Sequence, residues 1–367
     1  MRITYILEAL SNSGGMEKVV TQKANWLADK ENYEITIITF AQEAQDKDFF
    51  SLSDKVRRVK WYFPSAKVRN EIYKSLVNWL NNYPQDICIS TYGREFNVLN
   101  KLKDGSKKIV EFHFAYDVNK HWLSKLYNRR IAWIIGGIKT WQMVRTAKKY
   151  DSIVCLTEAD YKRWHTDKIV RIYNPITINA DKVSECNSKV IVAIGRMDAQ
   201  KGFDMLLNSW RLLEDKYPGW QLRIYGGGDS AIYKKQISDL RLNNAYILGR
   251  IEDVQAALCE SSIYVLSSRY EGFSLTICEA MSCGLPIVAF DCPSGPAELV
   301  EDGINGYIVK KVGDIESMAR YISELIENKH LRKEFGKKSY QLSKKYQLDY
   351  VMQKWVALFN QLTEIKR

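Results

Sequence analysis

Two basic side chains follow one apolar segment closely enough to act on the same anion. The apolar run 190–194 leads into Gly195-Arg196 and, five residues further on, into Lys201. A guanidinium binds two phosphate oxygens at once and an ammonium adds a point charge, so the pair suits a diphosphate. The alternative is a solvated basic loop, because cations are common in loops. Considered alone, the spacing leaves both interpretations open.

A glycine turn follows a second apolar run, 263–266, and leads into a helical pattern. Gly272 lets the backbone pass close to a ligand. The N–H groups of the next three residues would then point at a phosphate near the start of the helix. Those residues are Phe273, Ser274 and Leu275.

Two carboxylates flank this turn. Glu271 precedes it and Glu279 lies one helical stretch later, so the two side chains can meet hydroxyl groups at opposite ends of one ligand. For Glu279 there is a structural alternative. The run Thr276-Ile277-Cys278-Glu279 fits the capping-box pattern, in which the glutamate only satisfies the helix N-terminus.

A glycine pair and a histidine occupy comparable positions in the first half of the chain. Gly14 and Gly15 stand before a helical pattern, without the G-x-G-x-x-G spacing of a dinucleotide fingerprint, and suit either close backbone approach to a ligand or an ordinary tight turn. His113 follows the apolar run 108–112. A histidine at the end of a parallel strand faces the edge where ligands bind, although isolated histidines are often structural.

The apolar runs that precede these residues alternate with helical patterns along the whole chain. Such alternation predicts parallel, doubly wound sheets, whose ligands bind beyond the carboxyl ends of the strands. The predicted strands are 3–7, 35–40, 87–90, 108–112, 152–156, 190–194, 221–225, 245–248, 263–266 and 287–290.

The pattern is interrupted once, by the polar stretch 179–189, and then restarts. At 367 residues the chain is also too long for one ordinary core. We therefore expect a first Rossmann-like domain over residues 1–173 and a second over 174–349. An amphipathic closing helix over 350–367, with Trp355 and Phe359 on its apolar face, is expected to join the first domain.

Composition places the protein among soluble globular chains, with 46% hydrophobic and 26% charged residues. The seven cysteines are scattered and include no C-x-x-C pair, which argues against a disulfide framework or a zinc site. The apolar run at the N-terminus is too short for a signal peptide, and no stretch reaches the ~20 apolar residues that cross a bilayer. We therefore expect a cytoplasmic protein.

In their order along the chain these motifs resemble glycosyltransferase family 4, whose members are retaining enzymes of the GT-B fold. Glu271 and Glu279 form an E-x7-E pair, preceded by the G-R-x4-K-G pattern of Gly195 to Gly202. Further stretches similar to the family are Leu7-Glu8 to Lys18, Tyr225-Gly226-Gly227-Gly228-Asp229, Leu248-Gly249-Arg250-Ile251, Pro296-Ala297-Glu298 and Gly303-Ile304-Asn305-Gly306. The resemblance implies two Rossmann-like domains with the active-site cleft between them.

The resemblance also implies roles for particular residues. Arg196 and Lys201 would stabilise the departing diphosphate, Glu271 would contact hydroxyls of the transferred sugar, and Glu279 would bind the ribose. His113 would contact the donor sugar. Retention in this family is ascribed to attack on the same face as the leaving phosphate, which helps to deprotonate the acceptor, so no separate base is required.

Other residues of the same motifs would bind the donor. The nucleobase would meet the backbone of the turn at Arg250 and Ile251, and the phosphates would lie near the N–H groups of Ser274 and Leu275. The remaining members of the expected donor-binding set are Gly15, Gly195, Gly272 and Phe273. GT-B enzymes generally use side chains in place of a divalent ion, so we expect no metal cofactor. The one D-x-D motif, Asp46-Lys47-Asp48, is interpreted as a surface loop.

The charge of the chain, +11, attracts phosphates, nucleic acid or anionic lipid alike, so its distribution matters more. Residues 120–149 hold eight cations and no acid, interleaved with tryptophan and aliphatic side chains. A helix lying on anionic lipid needs that combination, although a core helix with solvated charges has it too. Arg57, Arg58, Lys60, Lys67 and Arg69, near Trp61-Tyr62-Phe63, extend the hypothesis to a second basic stretch.

We therefore predict a transfer of a hexosyl or N-acetylhexosaminyl group from a UDP-sugar to a saccharide acceptor, lipid-linked, in cell-surface polysaccharide assembly. The enzyme would be cytoplasmic and peripheral at the membrane. GDP-mannose is the alternative donor, and a non-catalytic nucleotide-sugar binding protein is the alternative function. The intact carboxylate pair favours catalysis over binding alone, and the combination of the G-R-x4-K-G and E-x7-E motifs favours transfer over an epimerase. A nucleic-acid partner is not expected, because the chain shows no zinc ligands or recognition helix.

Overall fold

The computed structural model describes residues 1–31, 33–64, 69–123, 128–178 and 182–364, without the side chains of His121, Trp122 and Arg129. The described chain forms two compact units. Unit 1 comprises Met1–Pro175 and Leu348–Arg367, and unit 2 comprises Ile176–Gln347.

Unit 1 is built on a seven-stranded sheet, parallel throughout its described pairs. Its strands run in the spatial order β3-β2-β1-β4-β5-β6-β7. Every strand predicted here from the sequence is present within one residue of its expected bounds. The strands are β1 (Arg2–Leu7), β2 (Glu34–Thr39), β3 (Arg57–Lys60), β4 (Ile87–Ser90), β5 (Lys107–Glu111), β6 (Ser152–Cys155) and β7 (Ile169–Arg171).

Both faces of this sheet are covered, as the interior strand β1 shows: its alternate residues enter two different cores. Ile3, Tyr5 and Leu7 of β1 belong to one core, and Ile6 belongs to the other. Ile3 pairs in register with Ile35 of β2. The helices of unit 1 that precede unit 2 in the sequence are α1 (Gly15–Lys30), α2 (Arg69–Asn82), α3 (Phe96–Leu99), α4 (Val118–Leu123), α5 (Arg129–Ala147) and α6 (Glu158–Tyr161).

Unit 2 repeats the arrangement with a six-stranded parallel sheet in the order β10-β9-β8-β11-β12-β13. The two central strands, β8 and β11, are fully buried, as their continuous apolar runs require. The strands are β8 (Val190–Ile194), β9 (Gln221–Tyr225), β10 (Ala245–Ile247), β11 (Ile263–Leu266), β12 (Ile287–Phe290) and β13 (Gly306–Val309).

Seven helices and two short 3₁₀ turns, Ala199–Lys201 and Lys344–Tyr346, complete the described part of unit 2. The first of these helices ends at Arg211, and residues 212–216 form turns after it. The helices are α7 (Phe203–Arg211), α8 (Ala231–Asp239), α9 (Val254–Cys259), α10 (Leu275–Ser282), α11 (Pro296–Leu299), α12 (Ile315–Glu327) and α13 (Lys329–Ser343).

After unit 2 the chain returns to unit 1 as α14 (Leu348–Glu364), the helix predicted from the spacing of its apolar residues. Val351, Trp355, Leu358 and Phe359 are all buried in the core that contains β1. Trp26 of α1 also donates from Nε1 to Asp349 over 2.5 Å. The core of unit 1 therefore depends on two distant stretches of the sequence.

All seven cysteine thiols are free, and six of them are buried. Among the helices that the structure describes, none is both long enough and apolar enough to cross a membrane.

Candidate functional site

The loop after β8 carries the two cations that the sequence singled out. Asp198 caps the 3₁₀ turn Ala199–Lys201, with its Oδ1 accepting from the N–H of Gln200 at 3.1 Å and of Lys201 at 3.3 Å. The same carboxylate lies 3.3 Å from Nη2 of Arg196, which is 74% exposed. Arg196 thus stays accessible to a ligand, and a short capped turn holds the backbone of Lys201.

The side chain of Lys201 contacts the residue that precedes the Gly272 turn. Its Nζ lies 2.7 Å from Oε1 of Glu271, and the hydroxyl of Ser268 donates to the same oxygen over 2.5 Å. Lys201 and Glu271 are 15% and 7% exposed. A Cβ added at Gly195 would come within 2.9 Å of the Lys201 side chain, so a larger residue at position 195 would displace Lys201. Strands β8 and β11 are neighbours, which explains why their loops meet.

The glycine turn ends at the start of α10 as expected. Leu275 is the first helical residue and Ser274 is its N-cap, in an extended conformation and with no capping hydrogen bond from its side chain. The first N–H groups of this eight-residue helix are therefore not occupied by their own N-cap. Phe273 is buried and packs edge-on against Tyr346, with ring centroids 5.8 Å apart.

A second loop closes against this turn. The N–H of Glu271 donates to the carbonyl of Pro293 over 3.1 Å. Gly295 adopts φ 121°, and a Cβ there would lie 3.3 Å from the carbonyl of Gly272 and 3.6 Å from the nitrogen of Ser274. Two features explain the glycine at this position. Its φ is one that other residues rarely adopt, and a side chain would crowd the backbone of the turn.

The capping-box interpretation of Glu279 is wrong. Helix α10 begins at Leu275, so Thr276 lies inside the helix and cannot be its N-cap. The buried carboxylate of Glu279 instead accepts a hydrogen bond from the hydroxyl of Thr177, 102 positions earlier in the chain. Glu279 therefore does not form a capping box, and its partner Thr177 lies at the start of unit 2.

The expected base-binding turn lies beside the glycine-rich end of β9. The N–H of Gly226 donates to the carbonyl of Gly249 over 2.7 Å. Arg250 is exposed, and a Cβ at Gly227 would come within 2.7 Å of its Nε. Ile251 is half-buried. Arg250 and Ile251 therefore form part of the same strand-end surface as Gly195, since Gly195 bonds to Tyr225 of β9 over 2.9 Å.

In unit 1, Gly15 is the first residue of α1 and Gly14 is its N-cap, with no side-chain capping bond. A Cβ at Gly14 would lie 2.2 Å from Oε2 of Glu17, the movable end of a flexible side chain, so this contact alone does not require glycine. The pair is thus neither a G-x-G-x-x-G fingerprint nor a simple reverse turn. It opens a helix whose N-terminal N–H groups can meet an anion.

His113 lies two residues beyond β5, at the carboxyl end of the sheet. Its imidazole is 6% exposed, and neither ring nitrogen has a hydrogen-bond partner among the described residues. Nε2 lies 3.4 Å from Oε1 of Glu111, which is itself bound by Lys23. A nearly buried imidazole with an open acceptor position is suited to a ligand hydroxyl.

The D-x-D motif forms part of a structural cluster. Arg58 binds both oxygens of Asp48, at 2.7 Å from Nε and 2.9 Å from Nη2. Burial opposes ionisation of Asp48, but the hydrogen bonds from Arg58 and Gln42 outweigh it and lower its pKa. Within the part of the chain that the structure describes, no three His, Cys, Asp or Glu side chains converge as a metal site would require.

The basic segment forms α4 and α5, and α5 exposes an unusual number of large apolar side chains. Its inner face, including Ala132, Thr140 and Met143, is buried. We call the opposite stripe the outer face of α5; its residues follow the helical spacing i, i+3, i+7, i+10. They are Ile131 (44% exposed), Ile134 (67%), Ile138 (53%) and Trp141 (60%).

Cations surround this outer face, including Arg130, Arg145 and Lys148. Arg145 lies over the Trp141 ring, 5.5 Å from its centroid. Lys125, Leu126 and Lys67 lie outside the described residues, as do the side chains of Trp122 and Arg129. Arg58 does not extend the basic surface, because Asp48 neutralises it at 16% exposure.

Within unit 2 the structure thus brings Lys201, Glu271, Gly272, Gly195 and the start of α10 into contact, and within unit 1 it places Gly15 and His113 at the carboxyl side of one sheet. Three polar partners were missed from the sequence. Ser268 lies three residues before Glu271, whereas Thr177 and Lys23 carried no local signal. A cationic strand end, hydroxyl-binding carboxylates and an open helix N-terminus together form a surface for a phosphate ester of a polyhydroxylated group.

Residues 177–342 match the family model for glycosyl transferases group 1. A Haemophilus influenzae protein described as an uncharacterized glycosyltransferase is 30% identical, with 97% of this chain and 99% of that protein aligned. A poly(ribitol-phosphate) alpha-N-acetylglucosaminyltransferase of Staphylococcus aureus is 32% identical over 59% of this chain, which corresponds to 45% of that longer enzyme.

Solved structures are similar over nearly the whole chain. A variant of S. aureus TarM, in complex with fondaparinux, alpha-GlcNAc-glycerol and UDP, superposes with a TM-score of 0.78 at 18% identity, covering 98% of this chain and 99% of that one. Anabaena HepE, in complex with UDP and glucose, gives 0.78 at 18% identity over 98% and 100%. At this identity the likeness concerns the fold, and the expected GT-B class is confirmed.

Proposed function

The chain belongs to the glycosyl transferases group 1, and from that premise we propose that it is a retaining family 4 enzyme that moves a hexosyl or N-acetylhexosaminyl group from a UDP-sugar to a saccharide acceptor. The acceptor belongs to the assembly of a cell-surface polysaccharide. Relatives named for teichoic acid and lipopolysaccharide substrates support this acceptor class. UDP in complexes of similar fold supports the donor.

One observation carries the catalytic part of the proposal: Lys201 and Glu271 are joined at 2.7 Å beside the Gly272 turn. A cation and a carboxylate that can bind hydroxyls are thereby fixed where a helix begins without a capping bond from its N-cap side chain. A sugar diphosphate needs those functions side by side, since negative charge develops on the phosphate while the sugar must stay oriented.

The proposed step needs no group beyond the donor and acceptor. The bond between the anomeric carbon and the phosphate oxygen breaks, and its electron pair stays on the phosphate. The acceptor hydroxyl oxygen bonds to that carbon from the same face, and its proton passes to the departing phosphate. Arg196 and Lys201 stabilise the released charge, Glu271 and His113 bind sugar hydroxyls, and Glu279 binds the ribose. No divalent ion takes part.

A donor screen tests the proposal. UDP release from UDP-glucose, UDP-galactose and UDP-N-acetylglucosamine, and GDP release from GDP-mannose, are measured with and without EDTA. We expect turnover with a UDP-sugar, insensitivity to EDTA, and a product that keeps the donor's anomeric configuration by NMR. Faster turnover of GDP-mannose favours the alternative donor. Tight UDP binding without any turnover favours the non-catalytic binding protein.

We also propose that the enzyme is peripheral at an anionic membrane, through the outer face of α5. Three isoleucines and a tryptophan exposed on one stripe suit the boundary between headgroups and acyl chains. No acid occurs from residue 118 to 150, so the charge complements anionic lipid, at about 1 kcal/mol for each cation near the surface. A lipid-linked acceptor would be met there.

Vesicle flotation with phosphatidylglycerol, and with phosphatidylcholine alone, tests this surface. The variant Ile134→Asn/Trp141→Asn should lose most of its binding to anionic vesicles while it keeps its thermal stability, because both side chains are already exposed. Ile232→Asn is the matched control, since Ile232 on α8 is 70% exposed and lies in unit 2. Binding that ignores lipid charge, or equal losses in the two variants, contradicts the proposal.

A further inference from the structure

A buried ion pair lies directly behind His113. Lys23 of α1 and Glu111, the last residue of β5, are 0% and 1% exposed. The Lys23 ammonium lies 2.7 Å from Oε1 and 2.6 Å from Oε2 of Glu111, so one cation holds both carboxylate oxygens. Nothing in the proposed reaction uses either residue.

The surroundings of this pair are aromatic. The Lys23 ammonium is 3.7 Å from the centroid of the Trp355 ring and 5.4 Å from that of Tyr5. Trp355 belongs to α14, so the end of unit 1 contributes to the enclosure. A sealed ion pair is poor evidence for stability, because desolvation of two charges offsets their attraction and apolar residues of the same size often serve as well. Its presence calls for a different explanation.

Charge supplies that explanation. Burial raises the pKa of Glu111, but the charge of Lys23 and the neighbouring His113 ring outweigh burial and hold the pKa at about 2. The carboxylate therefore stays ionised at every physiological pH. A permanent anion 3.4 Å from Nε2 of His113 attracts a protonated ring nitrogen and disfavours a ring flip that would put the carbon edge there.

The other nitrogen of His113 faces a different situation. Nδ1 is buried and has no partner among the described residues. With the proton of the neutral ring kept on Nε2, Nδ1 presents a lone pair, which can accept a hydrogen bond from a sugar hydroxyl. The orientation of the imidazole thus decides whether the site offers an acceptor or a C–H edge.

We propose that Glu111, held on both carboxylate oxygens by Lys23 and 3.4 Å from Nε2 of His113, is a positioning residue that fixes the imidazole of His113 for a hydroxyl of the transferred sugar. This inference rests on the proposed function, which assigns His113 to the donor sugar. Lys23 and Trp355 act indirectly: Lys23 holds the carboxylate of Glu111, and the Trp355 ring covers the ammonium of Lys23.

The test removes both charges together, so that neither is left unpaired in the core. In Lys23→Met/Glu111→Leu, UDP release from UDP-glucose or UDP-N-acetylglucosamine should fall roughly 10-fold in kcat, as for a misplaced catalytic group, with KM changed less than about 2-fold. Crystal structures give a readout that does not depend on turnover. The imidazole should occupy one orientation in the wild type and more than one in the variant.

A thermodynamic cycle separates positioning from general damage. His113→Gln should lower kcat to a similar extent, and the triple variant should be no worse than His113→Gln, because the ion pair acts through a ring that is no longer there. If the losses multiply, Glu111 acts independently of His113 and the inference is overturned. Normal kcat in Lys23→Met/Glu111→Leu also overturns it.

Two further variants guard against misfolding. Lys108→Met/Asp104→Asn removes another buried pair, which involves the same strand β5 but lies at its amino end, and it should leave kcat unchanged. Glu111→Asp keeps the charge and shortens its reach, so it should lower kcat partially at near-normal thermal stability. If His113→Gln itself has normal kcat, the assigned role of His113 fails, whereas a single ring orientation in the charge-free variant defeats only the positioning inference.

Discussion

Each unit carries a lysine–glutamate pair at the carboxyl side of its parallel sheet, and the two pairs differ in burial. Lys23 and Glu111 are sealed, at 0% and 1% exposure, whereas Lys201 and Glu271 keep 15% and 7%. The contact distances are nearly equal, 2.6 Å and 2.7 Å. The two pairs differ in solvent access. Lys23 is fully buried and can only hold Glu111, whereas the partly exposed Lys201 can exchange the carboxylate of Glu271 for the phosphate of a ligand.

The largest effect expected from this contrast is on stability. Lys23→Met alone leaves Glu111 buried and unpaired, which should lower the free energy of unfolding by about 3–5 kcal/mol. Lys201→Met should cost less, because Ser268 still donates to Glu271 and both side chains keep some exposure. Urea unfolding of both variants measures the difference. Equal losses would remove the distinction between the two pairs.

The next effect is on catalysis, where the variant of Lys201 should lose more activity than the variant of Lys23. Arg196→Ala and Lys201→Met should each lower kcat by roughly 10²-fold or more, as for other groups that stabilise transition-state charge. Arg211→Ala is the control, since this arginine of α7 forms an exposed pair with Asp215 on the surface of the helix. Initial rates of UDP release give the comparison. A near-normal kcat for Arg196→Ala excludes that side chain from the mechanism.

A smaller effect concerns acid. Glu111 has a pKa of about 2 in the fold, below the ordinary 4.5, so its contribution to stability is present above pH 4.5 and is lost as the pH falls towards 2. The variant Lys23→Met/Glu111→Leu lacks this contribution and should lose less stability than the wild type between pH 5 and pH 3. Thermal melts across that range test the sign. Parallel curves would show that Glu111 titrates normally.

The smallest effect concerns the turn that carries Lys201. Asp198→Ala removes the cap of the 3₁₀ turn and should cost about 1 kcal/mol, together with a few-fold loss in kcat as Lys201 becomes less fixed. Asp198→Asn keeps the capping oxygen and should retain stability, so any loss of kcat in that variant comes from the lost charge beside Arg196. Melting temperatures and initial rates separate the two contributions.

The fold was predictable where strands are buried on both faces. The ten expected strands are all present, and three others, β3, β7 and β13, were missed. All three lie at sheet edges. β3, with the sequence Arg57-Arg58-Val59-Lys60, has no fully buried residue, so it lacks the apolar run that identifies an interior strand.

For the site, motif order indicated which loops of unit 2 converge, because neighbouring parallel strands end at one edge. The partners within the site were less accessible. Thr177 meets Glu279 across 102 positions and Lys23 meets Glu111 across 88, and no local pattern encodes such pairings. The start of α10 shows the converse problem. A local pattern, the capping box, matched the sequence but not the helix boundary.

The return of α14 to unit 1 has a consequence for synthesis on the ribosome. Unit 2 is translated completely before α14 emerges, an interval on the order of 10–30 s at ordinary elongation rates. Until then the core of unit 1 lacks Trp355 and Phe359, and Trp355 cannot yet cover the ammonium of Lys23. Unit 1, although translated first, should therefore complete its core last. A chain truncated before α14 would leave unit 1 incomplete, and a chaperone should bind unit 1 before unit 2.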